Sequence, residues 1–266
     1  MYGNESKGMK FPPFQAGFYN KEDGTLDLVF DVGPNMFMIY PEYIADPMVI
    51  LCPSDSAMDE KIDDMHNDNG DWCVGYNANG GGECARGIDS SYAYFGWMQD
   101  QGKCGQLASS GVFPSLGVLA GLLGVTLPDE VPAQLGATLD KLVEGVLAQD
   151  ASSPSTPAPC PRADEDLKVT LGYGNAGGET VYRLREGIER FLITDINNPA
   201  GSAKAQSQIY IMSDQLGTTP AAYNHIPGGA NVLYMDGHVE FLKYDQCGEP
   251  PANRPIAELV GFLTAG

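Results

Sequence analysis

Apolar and polar positions alternate over Leu26-Asp27-Leu28-Val29-Phe30-Asp31-Val32, the period-two pattern of a strand, and Asp23-Gly24 ahead of it supplies a turn. Residues 35–40 and 48–52 are apolar runs too short for a helix, and they read as short strands or buried extended segments. Ser91-Tyr92-Ala93-Tyr94-Phe95-Gly96-Trp97 is dense in aromatic, strand-favouring side chains. The period changes over 129–148, where Leu135, Leu139, Leu142, Val143 and Val146 recur at helical spacing and predict an amphipathic helix. Leu184, Ile188, Phe191 and Leu192 predict a second, shorter helix over 181–194. The clearest signal lies near the C-terminus. Val232-Leu233-Tyr234-Met235 and His238-Val239-Glu240-Phe241-Leu242 flank Asp236-Gly237, which predicts a β-hairpin whose type I′ turn places both central residues at positive φ.

These elements predict an α+β fold: an antiparallel sheet with a C-terminal hairpin, a helical insertion and long loops. Gly 33 and Pro 19 among 266 residues fit many turns. The whole chain, 1–266, reads as one domain, within which 111–160 is a helical insertion carried on the core and ending in a Ser-, Thr- and Pro-rich linker at 151–161.

Charge narrows the partners. Asp and Glu number 35 against 15 Lys and Arg, a net charge of −20. Nucleic acid and anionic membrane surfaces are therefore not expected partners, because both need clustered cationic side chains. The longest apolar run, 112–127, is broken by Pro114 and several glycines and falls short of the ~20 residues of a membrane span. Met1 leads into Tyr2-Gly3-Asn4 without an apolar leader.

Six cysteines stand at 52, 73, 84, 104, 160 and 247, with no Cys-x-x-Cys pair of the zinc-knuckle kind. Cys73 and Cys84 flank an Asn- and Gly-rich stretch, and a disulfide between them would restrict its unfolded freedom. The remaining pairs are expected as Cys52–Cys104 and Cys160–Cys247. Disulfides imply an oxidising compartment.

Candidate chemistry is sparse. Residues 64–71 carry Asp64, Asp68 and Asp71 in an oxygen-rich loop that suits Ca²⁺, though without EF-hand spacing; a solvated acidic loop is the simpler reading. Tyr92, Tyr94, Phe95 and Trp97 are either a glycan-stacking platform or, more simply, core. His225 and Asp236 are of the right types for metal ligation or acid–base work. Structural roles suffice for both, at the Pro227-Gly228-Gly229 turn and at the hairpin turn. Asp195, Asp214 and Asp236 are acids whose convergence one sequence cannot decide. No nucleophile elbow, zincin helix or phosphate loop is present, so no catalytic residues are assigned.

The string Asn224-His225-Ile226-Pro227-Gly228-Gly229-Ala230-Asn231-Val232-Leu233-Tyr234-Met235-Asp236-Gly237-His238-Val239 resembles the signature of the prepilin-type processing-associated family, named for a His followed by Asp-Gly. Met1 to Gly8 with Phe11-Pro12-Pro13, Cys52-Pro53-Ser54-Asp55, Ser91-Tyr92-Ala93-Tyr94, Arg183 to Ile188 and Thr194 to Pro199 resemble other segments of that family. The family name puts nine residues between His and Asp-Gly, whereas here Ile226 to Met235 is ten, and the Pro-Gly-Gly turn is expected to absorb one. The resemblance implies a pilin-like headgroup, with His225, Gly228, Gly229, Asn231, Asp236 and Gly237 as its structural motif. It further implies a non-enzymatic structural subunit of a type IV pilin-like or type II secretion pseudopilin-like system, exported to the periplasm or cell surface. Its partners would be other pilin-like subunits, met through an N-terminal apolar helix, which would also be its only membrane contact. The chain begins where that helix would end and reads as a headgroup without its stalk. An extracytoplasmic glycan- or calcium-binding module is the alternative.

Overall fold

The computed structural model describes residues 1–20, 26–67, 69–74, 91–149, 160–191, 206–217, 224–225 and 228–264. It is an α+β fold with antiparallel sheets. After a one-turn helix α1 (Tyr2–Glu5), strands β1 (Phe14–Asn20) and β2 (Leu26–Pro34) form a hairpin in which Gly17 faces Val29. The predicted alternation over 26–32 is thus a strand, while its Asp23-Gly24 turn lies outside the described residues. Helix α2 (Met58–Asp64) and strand β3 (Tyr92–Tyr94) follow. The middle of the chain holds β4 (Leu107–Ser109), α3 (Pro114–Leu123), β5 (Glu130–Pro132), α4 (Ala133–Leu147), β6 (Leu167–Lys168) and β7 (Thr180–Val181). The C-terminal part holds β8 (Tyr210–Asp214), β9 (Gly229–Tyr234), β10 (Val239–Lys243) and α5 (Arg254–Leu263). The largest sheet has four strands in the order β10-β9-β8-β3.

Helix α4 supplies the core rather than riding on it. Leu135, Leu139, Leu142, Val143 and Val146 are buried together with Phe14, Phe30, Phe95 and Trp97 in the largest apolar cluster. Gly136 and Gly145 keep its other faces close to neighbours: a Cβ would stand 2.8 Å from the Phe113 ring at the first and 2.6 Å from the Arg162 stem at the second. The buried Asp140 carboxylate accepts from the Ser115 and Leu116 amides at 2.7 and 3.2 Å, satisfying free N–H groups at the start of α3. The 151–159 part of the predicted linker lies outside the described residues.

Three local expectations are corrected. Residues 35–40 and 48–52 are not strands: Met36–Met38 and Pro47–Ile50 are 3₁₀ turns, the second capped by the Asp46 side chain, which accepts from the Met48 amide. Their apolar side chains Met36, Ile39, Ile50 and Leu51 are nonetheless buried, in a satellite cluster with Met65 and Val74. The helix expected over 181–194 is reduced to a 3₁₀ turn at Ile188–Phe191. Val181 ends β7, and Arg183 and Arg185 make antiparallel bridges to Trp97 and Lys10. Partners distant in the chain outweigh local helical spacing there.

The C-terminal hairpin forms, but not through a type I′ turn. The Gly237 amide donates to Tyr234 O at 2.9 Å and the Tyr234 amide to His238 O at 3.0 Å. Gly237 has φ +87°, whereas Asp236 is not among the non-glycine residues at positive φ. This is a three-residue loop, a type I turn followed by a left-handed glycine, which also matches the strand twist. Asp236 Oδ1 accepts from the His238 amide at 3.2 Å and contacts His238 Nδ1 at 2.5 Å. The His238 hydrogen bond holds the Asp236 carboxyl below its ordinary range.

Two of the three disulfide expectations are corrected as well. Cys104 pairs with Cys247, while Cys52 and Cys160 are buried free thiols, so neither Cys52–Cys104 nor Cys160–Cys247 forms. Cys73 is disulfide-bonded, and Cys84 lies outside the described residues. Among the described residues, no helix is long and apolar enough to cross a membrane.

Candidate functional site

The four-stranded sheet brings together residues from four distant segments. Side chains alternate between the two faces of a strand. Asp214 at the end of β8 pairs with Tyr92 at the start of β3, and Asn231 of β9 neighbours it across the sheet, because Ser213 is paired with Val232. The Asn231 amide N–H donates to Asp214 Oδ2 at 2.7 Å, and its side-chain Nδ2 donates to the same oxygen at 2.9 Å. His225 arrives from the loop that precedes β9. That loop is closed by a His225–Gly229 bridge and by the Gly228 amide donating to His225 O at 3.0 Å.

The two glycines of this loop have separate reasons. Gly228 sits at φ +121°, which a side chain rarely adopts. At Gly229 a Cβ would lie 2.3 Å from the Phe241 ring and 2.7 Å from Leu242 O, so only glycine lets β10 come close there.

His225 Nε2 stands 3.1 Å from Asp214 Oδ2, 3.2 Å from Asn231 Nδ2 and 3.7 Å from Cys52 Sγ. Cys52 and Asp214 are buried, whereas the His225 side chain is 31% exposed. One thiol, one carboxylate and one imidazole therefore present donor atoms within 4.8 Å of one another. The Tyr92 phenol beside them is pushed above its ordinary pKa by burial, then by the neighbouring Cys52 and Asp214.

A polar frame holds the Cys52 segment against the sheet. The Ser91 amide donates to Ile50 O at 2.9 Å, the Gln215 amide donates to Ser91 O at 2.9 Å, and the Asn224 side chain donates to that same carbonyl. Ser91 Oγ donates to Asp55 Oδ2 at 2.6 Å, and Lys61 Nζ donates to it at 2.8 Å. Burial alone would raise the Asp55 carboxyl, but hydrogen bonds from Lys61, Ser91 and the Ala57 amide outweigh it and hold the group below its ordinary pKa.

Other residues singled out from the sequence lie elsewhere. Asp64 ends α2 and is exposed, Asp71 is exposed, and Asp68 lies outside the described residues. Their loop is ordered by Asn67, whose Oδ1 accepts from the Asn69 and Asp71 amides at 3.0 Å each, and by the His66 ring packed 4.2 Å from Trp72. Asp236 stays in its hairpin turn, away from Asp214, and Asp195 lies outside the described residues. Tyr94, Phe95 and Trp97 are buried, the core reading of that aromatic run, and only Tyr92 is partly open. A separate cleft of about 800 Å³, lined by Leu107, Val125, Leu127, Glu130, Arg254 and Phe262 among others, opens beside the Cys104–Cys247 disulfide and shares no residue with the cluster.

Sequence reasoning reached His225 and Asn231 but missed Cys52 as their neighbour, having paired that cysteine with Cys104. The available signal was its place in Cys52-Pro53-Ser54-Asp55, a segment of the same resemblance. No protein-family model matches the chain, and no curated protein or solved structure matches it either.

Proposed function

We propose that this chain is a non-enzymatic structural subunit, the headgroup of a type IV pilin-like or type II secretion pseudopilin-like protein, working outside the inner membrane with other pilin-like subunits. One observation carries the reading: the segments that resemble the prepilin-type family bind one another. Cys52 to Asp55, Ser91-Tyr92, His225 and Asn231 share one joint. The Phe11 and Pro12 carbonyls accept from Arg183 Nη2 at 2.7 and 3.0 Å, which ties two more such segments together. Side chains engaged in this way build a headgroup rather than line a catalytic cleft. The Asp236-Gly237 turn serves the same end by closing the C-terminal hairpin.

The test is placement in a filament. Antibodies raised against the 266-residue chain should label fibres sheared from the surface of cells that express the natural gene. Labelling confined to a dispersed protein fraction, with no fibre-associated signal, refutes the reading.

A further inference from the structure

We propose that Cys52, Asp214 and His225 form a binding site for a divalent transition-metal ion of the zinc class, which clamps the Cys52 loop and the His225 loop to the sheet. The proposal does not depend on the filament reading.

The donor set comes first. Thiolate and imidazole are ligands for zinc-class ions, whereas calcium and magnesium prefer sites made wholly of oxygen. Around a tetrahedral zinc, with bonds of about 2.0 Å to N and O and about 2.3 Å to S, neighbouring ligand atoms lie about 3.3–3.6 Å apart. Here the N···O edge is 3.1 Å and the S···N edge is 3.7 Å. The third edge, from sulfur to the carboxylate, lies within 4.8 Å, and an ion would draw these two together.

The hydrogen bonding supplies an independent reason. A carboxylate only accepts, so Asn231 must turn its Nδ2 towards Asp214 Oδ2. That places Asn231 Nδ2, a donor, 3.2 Å from His225 Nε2, while Asp214 Oδ2, an acceptor, lies 3.1 Å from the same nitrogen. If Nε2 carries a proton, it faces the Asn231 donor. If it carries a lone pair, it faces the Asp214 acceptor. A protonated Nε2 donates to Asp214 Oδ2 with the Asn231 N–H crowded beside it at 3.2 Å, whereas a cation set among Nε2, Oδ2 and Sγ takes the lone pairs of all three.

The surroundings are those of a ligand site. Two Asn231 N–H groups orient the Asp214 carboxylate, as hydrogen-bond donors behind a metal's ligands do. Among the described residues no Lys or Arg pairs with the buried Asp214 carboxylate, and the nearest basic group is the His225 imidazole. Of the two free thiols among the described residues, Cys160 lies in the main apolar cluster, whereas Cys52 faces an imidazole. The partly exposed imidazole leaves a way in for the ion.

The experiment uses the metal-free 266-residue chain with its disulfides intact. Excess ZnCl₂ should raise Tm by roughly 5–10 °C, the shift expected for a ligand at about 100 times its Kd, and CaCl₂ at matched ionic strength should not reproduce this. Co²⁺ should give a thiolate-to-cobalt charge-transfer absorption. Both signals should survive Cys160→Ser and disappear in Cys52→Ser. The proposal is overturned if wild-type protein takes up Co²⁺ without the thiolate band, if zinc does not raise Tm, or if Cys52→Ser keeps the full zinc response. Should Cys52→Ser fail to fold, the wild-type and Cys160→Ser cobalt spectra still decide: a thiolate band in both supports the site, and its absence from either overturns it.

Discussion

Replacing Arg183 tests whether the fold depends on a buried cation that stitches backbone to backbone. Its side chain is 0% exposed, and the guanidinium carbon lies 5.3 Å from the Trp97 ring centroid. Nη1 donates to Gly96 O, and Nη2 donates to Phe11 O at 2.7 Å and Pro12 O at 3.0 Å. The residue thereby joins the N-terminal segment to the turn after β3. Arg183→Ala leaves Phe11 O without a donor, at about 1–3 kcal/mol for a buried group left unpaired, and takes one of two donors from Gly96 O and Pro12 O, which keep the Leu184 amide and the Tyr94 hydroxyl. With the charge-assisted bonds lost at the other two carbonyls and the packing lost on Trp97, the total comes to about 3 kcal/mol. For a chain of 266 residues that corresponds to a fall in Tm of about 6–12 °C. Arg183→Lys should recover only part of the loss, because one ammonium cannot match the planar fork that reaches both sides. Gly96→Ala should mimic the defect, since Gly96 has φ +77° and an added Cβ would stand 2.5 Å from Arg183 Nη1. Equilibrium urea unfolding with disulfides intact measures these differences. If Arg183→Ala lies within about 1 kcal/mol of wild type at an unchanged m-value, water replaces the guanidinium and the stitch does not carry the fold.

Three shorter predictions accompany this one. Asp55→Asn should destabilise the protein by about 2 kcal/mol at pH 7, through lost charged hydrogen bonds to Lys61 and Ser91. Because the folded carboxyl titrates below its ordinary value, its contribution is present above about pH 4 and is lost as pH falls through the folded value. The gap between variant and wild type should therefore narrow towards pH 3 in urea melts, and a constant gap refutes the assignment. Gly237→Val should lower stability by about 1–2 kcal/mol through backbone strain alone, since nothing lies within 4 Å of the added Cβ. Gly237→Asn should be milder, and equal melting of Gly237→Val and wild type would contradict the left-handed turn. Asn67→Ala should loosen the 66–72 loop by about 1 kcal/mol, read as faster amide exchange at Asn69 and Asp71, and unchanged exchange there would refute the role given to its side chain.

Legibility in the sequence followed the range of the interaction that decides each element. The period-two run over 26–32, the helical stripe from Leu135 to Val146 and the apolar arms around Asp236-Gly237 determine β2, α4 and the C-terminal hairpin, because the period of the apolar positions selects strand or helix. The need for a left-handed glycine at 237 is equally local. Tertiary structure decided the rest. Met36, Ile39 and Ile50 can be buried from either a strand or a 3₁₀ turn, so composition could not choose between the two. Helical spacing over 184–192 yielded to bridges with Trp97 and Lys10, residues far away in the chain. Whether α4 rode on the core or filled it depended on Phe14, Phe30 and Trp97 arriving from elsewhere. The cluster at Cys52, Asp214 and His225 spans more than 170 positions and is assembled by strand register and by Ser91 holding the Ile50 loop. Spacing along a chain records which face a residue takes. Which distant donors and acceptors then meet is set by the closing of the sheet, and no local pattern carries that information.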